Sequence, residues 1–441
     1  MKFFLIYLLL ILLNNCSFDN KSGIWKNENN IDKNQKDSFS QFKNISTSID
    51  PFTEIVQMKK NYKFELSEKI NLSSWKQIHL NQNNNLNNFE YKNLNELFFK
   101  SKKISNYKVS DHILYEDGNI INSDLKGNIN IFSVPNNKIL TKFNFYKKKY
   151  KKIKKKLNLI VENNIIYVSD NFGYLYAYNY LEERLLWAKN YNIPFRSNLK
   201  IRDDIIFAAN QNNNLFFFDK LSGEILKQIP TEETMVKNNF INSLSLDRNN
   251  IFFLNTYGSL YSININSKRI NWYLNLNQSL DVNPNNIFYG SQLVNFGDKI
   301  ITSSNQFLYV IDSNSGSILT KKNFPITINP LINNDILFLV SKKNFLISLD
   351  LKKDEIIYSY DIDKKIADFL KIKRKNADIK NIIMAEGKLL LFLKNSHILV
   401  FNTQGKLEKV NKLPAKMITF PILIENKILF LDKKNRLTIV N

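Results

Sequence analysis

DNFGYLYAYNYLEERLLW, residues 170–187, reads as turn, alternating apolar strand, Asn, second turn and a strand ending in Trp. Shortened forms of it recur to the C-terminus: GNINIFSV, NNLFFFDK, GSLYSINI, QFLYVIDS, NFLISLDL, SHILVFNT and NRLTIVN. One aliphatic anchor from each copy gives Ile129, Leu175, Leu215, Leu260, Leu308, Leu346, Ile398 and Leu437, at intervals of 38 to 52 residues. Several strands repeated about every 40–45 residues mark a β-propeller. Two residues before the anchor, Gly or Asn fills six of eight positions (Gly127, Gly173, Asn213, Gly258, Asn344, Asn435). These residues tolerate the positive φ of a tight turn. Four residues after it, Asp or Asn fills seven of eight (Asn179, Asp219, Asn264, Asp312, Asp350, Asn402, Asn441). Their short side chains bond the backbone two residues on and close the next turn.

Upstream of most anchors a polar pair precedes another apolar run, as in NNIIYVSD (163–170), DDIIFAAN (203–210) and NNIFFLNT (249–256). Ile, Phe and Val favour strands. Each copy therefore supplies at least three strands, with a fourth following the Asp or Asn. The expected fold is all-β: an eight-bladed propeller of four-stranded antiparallel blades. The last copy ends at Asn441 after its third strand, so its fourth has to come from elsewhere. LSSWKQIHL (72–80) is the expected closing strand, with Trp75 standing where other copies carry Trp187 and Trp272.

The N-terminus is of another kind. Met1-Lys2, the apolar stretch FFLIYLLLILL and then Cys16, the chain's one cysteine, read as a secretory signal too short for a comfortable membrane span. It resembles a bacterial lipoprotein box, which implies lipid on Cys16; Asn15 departs from the small residue usual before the Cys. Ser17 in place of Asp resembles the outer-membrane sorting case. The expected division is a signal peptide over 1–16, a flexible tether over 17–70, rich in Asn, Lys, Ser and Asp, and a propeller over 71–441.

The net charge is +22. Such a balance suggests nucleic acid, but an exported chain meets no chromosome. KKKYKKIKKK (147–156) carries eight Lys and reads as a solvated loop, with anionic headgroups or lipopolysaccharide phosphate as the alternative. A second basic insert, 363–380, is expected to hold a short helix. The three His (His79, His112, His397) stand far apart in sequence without metal spacing, and no second Cys is present to pair. No phosphate loop, nucleophile elbow or HExxH is present. The residues therefore point to a non-enzymatic chain without cofactor or metal.

The pattern in residues 170–187 and in NTYGSLYSININSKRINW (255–272) resembles the PQQ-like repeat, whose Trp and Gly serve blade docking and do not by themselves imply the quinone. Together with the lipobox and the end after LTIV, the eightfold organisation resembles the BamB family, lipoprotein subunits of the outer-membrane β-barrel assembly machinery. That resemblance implies a non-catalytic scaffold, lipid-anchored at the periplasmic face of the outer membrane. Its implied partners are the periplasmic domains of the barrel-forming subunit and, by strand addition, nascent outer-membrane chains. The family's docking loop between the third and fourth blades corresponds to PTEETMVKNNFINS (230–243), with Met235 and Val236 in its aliphatic stretch and Lys237 in place of its Arg. A second family loop carries an acidic pair, for which NPNNIFYGSQLV (283–294) has no acid. The alternatives are another exported propeller, binding an envelope protein or polymer, and a PQQ-dependent dehydrogenase with a Ca²⁺ site.

Overall fold

The computed structural model describes residues 52–60, 62–146, 150, 152–233, 240–277, 288–326 and 328–441, and the backbone of 16–18 and 25–27. The chain divides into two units, residues 1–49 and 50–441. In the first, Cys16–Phe18 pairs antiparallel with Trp25–Asn27, Cys16 opposite Asn27.

The second unit holds eight antiparallel sheets built on four strands each. Blade two is typical: Leu157–Glu162, Ile165–Asp170, Tyr174–Asn179 and Arg184–Asn190 pair in order from axis to rim. All eight anchors are at most 1% exposed. The second and third strands read as continuous apolar runs because both faces of every blade are covered, and successive side chains point to opposite faces. In blade four Phe253 packs with Phe207, Phe217 and Leu244 toward blade three. Its neighbour Phe252 packs with Ile300 and Ile311 toward blade five. Blades one and two share Ile131 and Tyr176; two and three share Leu175 and Phe218. Blades five and six share Val310 and Leu337; six and seven share Phe338 and Phe401. One cluster joins seven, eight and one through Phe392, Phe430 and Phe132, which closes the ring.

The turn chemistry follows the sequence pattern. Seven of the eight residues two before the anchors have φ between 57° and 99°, Ser396 among them; Gln306 is the exception. Asp219 Oδ1 accepts from the Leu221 and Ser222 backbone N–H groups, and Asp312 Oδ1 from those of Asn314 and Ser315. The blade-docking role of the Trp residues is visible too. The Trp187 indole N–H donates to Lys220 O of blade three (3.1 Å), and its ring lies where a Cβ on Gly223 would sit, 2.6 Å away. Trp272 treats Ser313 and Gly316 of blade five in the same way. Tyr360 takes the corresponding place against Gly405 of blade seven.

An N-terminal strand closes blade eight, as expected, but it is a different segment. Leu97–Lys103 pairs antiparallel with Arg436–Val440 and forms the outer strand. LSSWKQIHL is not a blade strand. It has only isolated bridges, Trp75 to Tyr115 and Gln77 to Ile160, both to innermost strands. Its polar neighbours keep it at the axis: Asn84, Asn85 and Asn88 are each 2% exposed and serve backbone groups there. Most of the segment expected as a tether, up to residue 51, lies outside the described residues, but its last part packs on the propeller. Phe52 N donates to Asn323 O, Val56 pairs with Ser359, and Tyr62, Phe64 and Leu66 pack against the core of blades six and seven. The apolar spacing of this stretch suits burial, which an Asn- and Lys-rich average concealed. The basic insert does hold a helix, Ile362–Leu370, capped by Asp361, whose carboxylate accepts from Lys364 N (2.9 Å).

Candidate functional site

The stretch from Ile70 to Glu90 travels once round the axis. Leu72 O accepts from Glu425 N at blade eight, and Trp75 exchanges two backbone hydrogen bonds with Tyr115 at blade one. Lys76 O accepts from Val161 N at blade two, and the Gln82 side chain donates to Ile201 O at blade three. Gln82 O and Asn83 O accept from Leu246 N and Asn295 N at blades four and five. The Asn85 side chain both donates to and accepts from Ile332 at blade six, and Asn88–Phe89 adds a parallel strand to blade seven. The ends then meet, with Ile70 N donating to Asn88 O and Glu90 N to Ile70 O. This belt satisfies inner-strand groups that the blades leave open. The sequence signal for it was the amide run NQNNNLNN (81–88), more side-chain donors and acceptors than a surface turn requires.

Lys200, at the start of blade three's inner strand, is 1% exposed. Its ammonium donates to Gln77 Oε1 (3.0 Å), Asn81 O (2.7 Å) and Asn84 Oδ1 (2.6 Å) of the belt. These acceptors are uncharged, and burial pushes its pKa down to about 7.

Above the belt lies a cavity of about 310 Å³, lined by belt residues and by the inner strands or their approaches from all eight blades. Two His that are far apart in sequence meet there: the His79 and His112 rings are 6.1 Å apart, and His112 stacks on Phe420 at 4.6 Å. Each keeps some surface open to the cavity, yet burial disfavours both imidazolium forms, holding His112 down to about 4 and His79 well below its usual value. No Asp or Glu lines the cavity, and among the described residues no three His, Cys, Asp or Glu side chains cluster to hold a metal. A calcium-held quinone draws on carboxylate and amide oxygens together; this cavity offers amides but no carboxylate, so the residues lining it lack the charged part of that ligand set.

Beside the cavity, two inter-blade connections lie together. The one leaving blade three is pinned where Asn213 Nδ2 donates to Glu232 O (2.7 Å), and where Glu232 accepts from Ser259 Oγ (2.9 Å), Tyr261 OH (2.7 Å) and Asn255 Nδ2 (3.0 Å). Burial opposes ionisation of Glu232, but these hydrogen bonds outweigh it and hold the carboxyl below its usual range. The connection returns at Phe240, which is buried and lies 5.5 Å from Phe288 and 6.4 Å from Tyr289 of the next connection, between blades four and five. Tyr289 is 56% exposed. Met235, Val236 and Lys237 lie outside the described residues, as do Lys147, Lys148, Lys149 and Lys151 of the Lys cluster.

Ring, blade number and inter-blade aromatics define an eight-bladed propeller of PQQ-like repeats. The family described as outer membrane protein assembly factor BamB matches over residues 126–360, and the chain belongs to it. No curated protein matches it in sequence. Among solved structures, BamB from Moraxella catarrhalis is similar at TM-score 0.61 and 11% identity, covering 77% of this chain and 99% of that one. The quinohemoprotein alcohol dehydrogenase from Comamonas testosteroni is similar at TM-score 0.60 and 9% identity, over 83% of this chain and 80% of that one. A computationally designed protein, Ika8, matches at TM-score 0.59 and 10% identity, over 78% and 99%. At these identities the likenesses speak for the fold alone.

Proposed function

We propose that this chain is a non-catalytic scaffold of outer-membrane β-barrel assembly, docking on the periplasmic domains of the barrel subunit through the connections after blades three and four. Family membership supports the role. The observation that carries the location is the Phe240–Phe288–Tyr289 contact, which holds two adjacent connections as one surface. Glu232 and Phe240 flank the span that contains Met235, Val236 and Lys237, so a partner engaging that span meets a loop with fixed ends. Aliphatic contact at Met235 and Val236 and a cation at Lys237 form the docking chemistry, with exposed Tyr289 contributed by the next connection. Preorganised ends lower the ordering cost of binding.

In this reading the protein is held at the periplasmic face of the outer membrane by lipid on Cys16. Among the described residues no helix is long and apolar enough to cross a membrane. Two or more acyl chains suffice for stable anchoring. No bond is made or broken: the ring presents surfaces and the partner brings the assembly chemistry.

A detergent pull-down of the lipidated protein from its own envelope, read by mass spectrometry, tests this. The barrel subunit is expected in the eluate, reduced at least about ten-fold by Val236→Asp with Lys237→Glu, the equivalent of about 1.4 kcal/mol. Recovery insensitive to those changes removes the assigned loop and keeps the role. Absence of the barrel subunit, where other members of that machinery co-purify, removes the role.

A further inference from the structure

The docking surface makes no use of the cavity at the axis, yet the cavity is built for an occupant. Trp75 and Asn198 are each 3% exposed, and neither the Trp75 indole N–H nor the Asn198 amide nitrogen has a hydrogen-bond partner among the described residues. Gln292 Oε1 is buried and unpartnered as well. All three residues line this one cavity. Each unmade bond of a buried polar group costs about 1–3 kcal/mol, so three around one space call for something that completes them. The Asn and Gln amides can turn to offer either N–H or oxygen. The indole only donates, so the fixed demand is for an acceptor.

The charge distribution agrees. No carboxylate lines the cavity, while Lys380 does, its ammonium 5.0 Å from the centre of the Phe420 ring. The same Lys380, Phe420 and Ile328 border a vestibule of about 710 Å³ where Lys108 and Lys394 face Asp111 and Asp378. His79 and His112 stay neutral near pH 7, so Lys380 is the charged group lining the cavity. Much of the remaining wall is hydrocarbon and ring: Ile78, Leu86, Ile113, Ile241 and Phe420.

We propose that the axial cavity binds a small monoanion with an apolar body, a carboxylate on a compact ring or short hydrocarbon. Its carboxylate is taken by the wall donors and Lys380, and its body by the Ile, Leu and Phe420 surface.

Isothermal titration of the full-length protein with benzoate, octanoate and the neutral isostere benzamide tests it. Saturable one-to-one binding of at least one carboxylate below about 1 mM is expected, with benzamide about ten-fold weaker than benzoate where the aromatic acid is the one bound. Trp75→Phe keeps an aromatic ring and removes the donor, and should weaken binding about five-fold or more. Lys380→Met, at the mouth, gives an independent loss where Trp75→Phe disturbs folding, as circular dichroism and melting would reveal. A preference of benzoate over octanoate, or the reverse, assigns the body as ring or chain. No saturable heat from either acid up to about 10 mM, or equal affinity for benzamide and benzoate, overturns the proposal and leaves a water-filled chamber. So does binding unchanged in a folded Trp75→Phe and in Lys380→Met.

Discussion

The contact between Trp272 and Gly316 shows how much one residue pair carries in this ring. Gly316 has φ 76°, and a Cβ there would stand 2.7 Å from the Trp272 ring. Gly316→Ala therefore meets a strained backbone and a clash at once, and should cost about 1–3 kcal/mol. A denaturant midpoint that does not move would show that blades four and five do not depend on this seam. Lys200 is the second residue-scale case. Its folded pKa, about 7, lies below its ordinary 10.5. Between those values the unfolded chain holds a proton that the folded chain has released, so stability rises with pH through that window and is lower below it. Unfolding free energies from urea titrations at pH 7 and 9 should differ by about 2 kcal/mol in the native protein. Most of that difference should vanish in Lys200→Met, whatever its absolute stability; an equal pH slope in the variant would remove Lys200 as the cause. The turn residues were legible in the sequence because their chemistry is local: Asp219 serves Leu221 and Ser222, two and three places on. Lys200 was not, because its three acceptors lie more than a hundred residues away in the belt.

Strands show where local pattern stops deciding. Both LSSWKQIHL and LFFKSKK offer apolar and polar residues in strand-like order, and Trp75 favoured the first. The choice is made by pairing. Ser101 Oγ accepts from Leu437 N (2.8 Å), and Thr438 and Ile439 stand opposite Lys100 and Phe99. Trp75 instead belongs to the cluster that joins blades seven, eight and one. Ser101→Ala leaves the buried Leu437 N–H without its acceptor, at a cost of about 1–3 kcal/mol. Amide exchange at Leu437 should quicken accordingly; unchanged exchange would mean that the hydroxyl is dispensable. The outer strands carry a further regularity. In blades one to seven the pairing of third and fourth strands shifts register once, at Leu140, Leu186, Leu226, Asn271, Leu319, Ile357 and Glu408. Blade eight shifts twice. Bulges of this kind twist an edge away from further pairing. They oppose the addition of a further strand at the rim.

At the scale of the molecule, eight repeats predicted eight blades, because each copy carries its own turns and both of its packing faces. What the repeats could not disclose is how the ring is fastened. The belt bonds to all eight inner strands, and Leu97–Lys103 completes the last sheet. Both fastenings come from one N-terminal stretch that is no copy of the repeat. A chain beginning at residue 104 retains every repeat yet lacks both fastenings. It should lose cooperative unfolding and enlarge on gel filtration; a compact, cooperative product would show that seven complete blades suffice. Strand Leu97–Lys103 finds its partner only when Arg436–Val440 exists, so it waits for a strand made more than three hundred residues later. During vectorial synthesis the Leu97-Phe98-Phe99 stretch spends that whole interval unpaired. Exposed apolar strands of this sort are where unfinished chains stick to one another. The fastening that makes the finished ring secure is thus also a period of risk, and synthesis of Arg436–Val440, more than any local folding step, starts the clock on its completion.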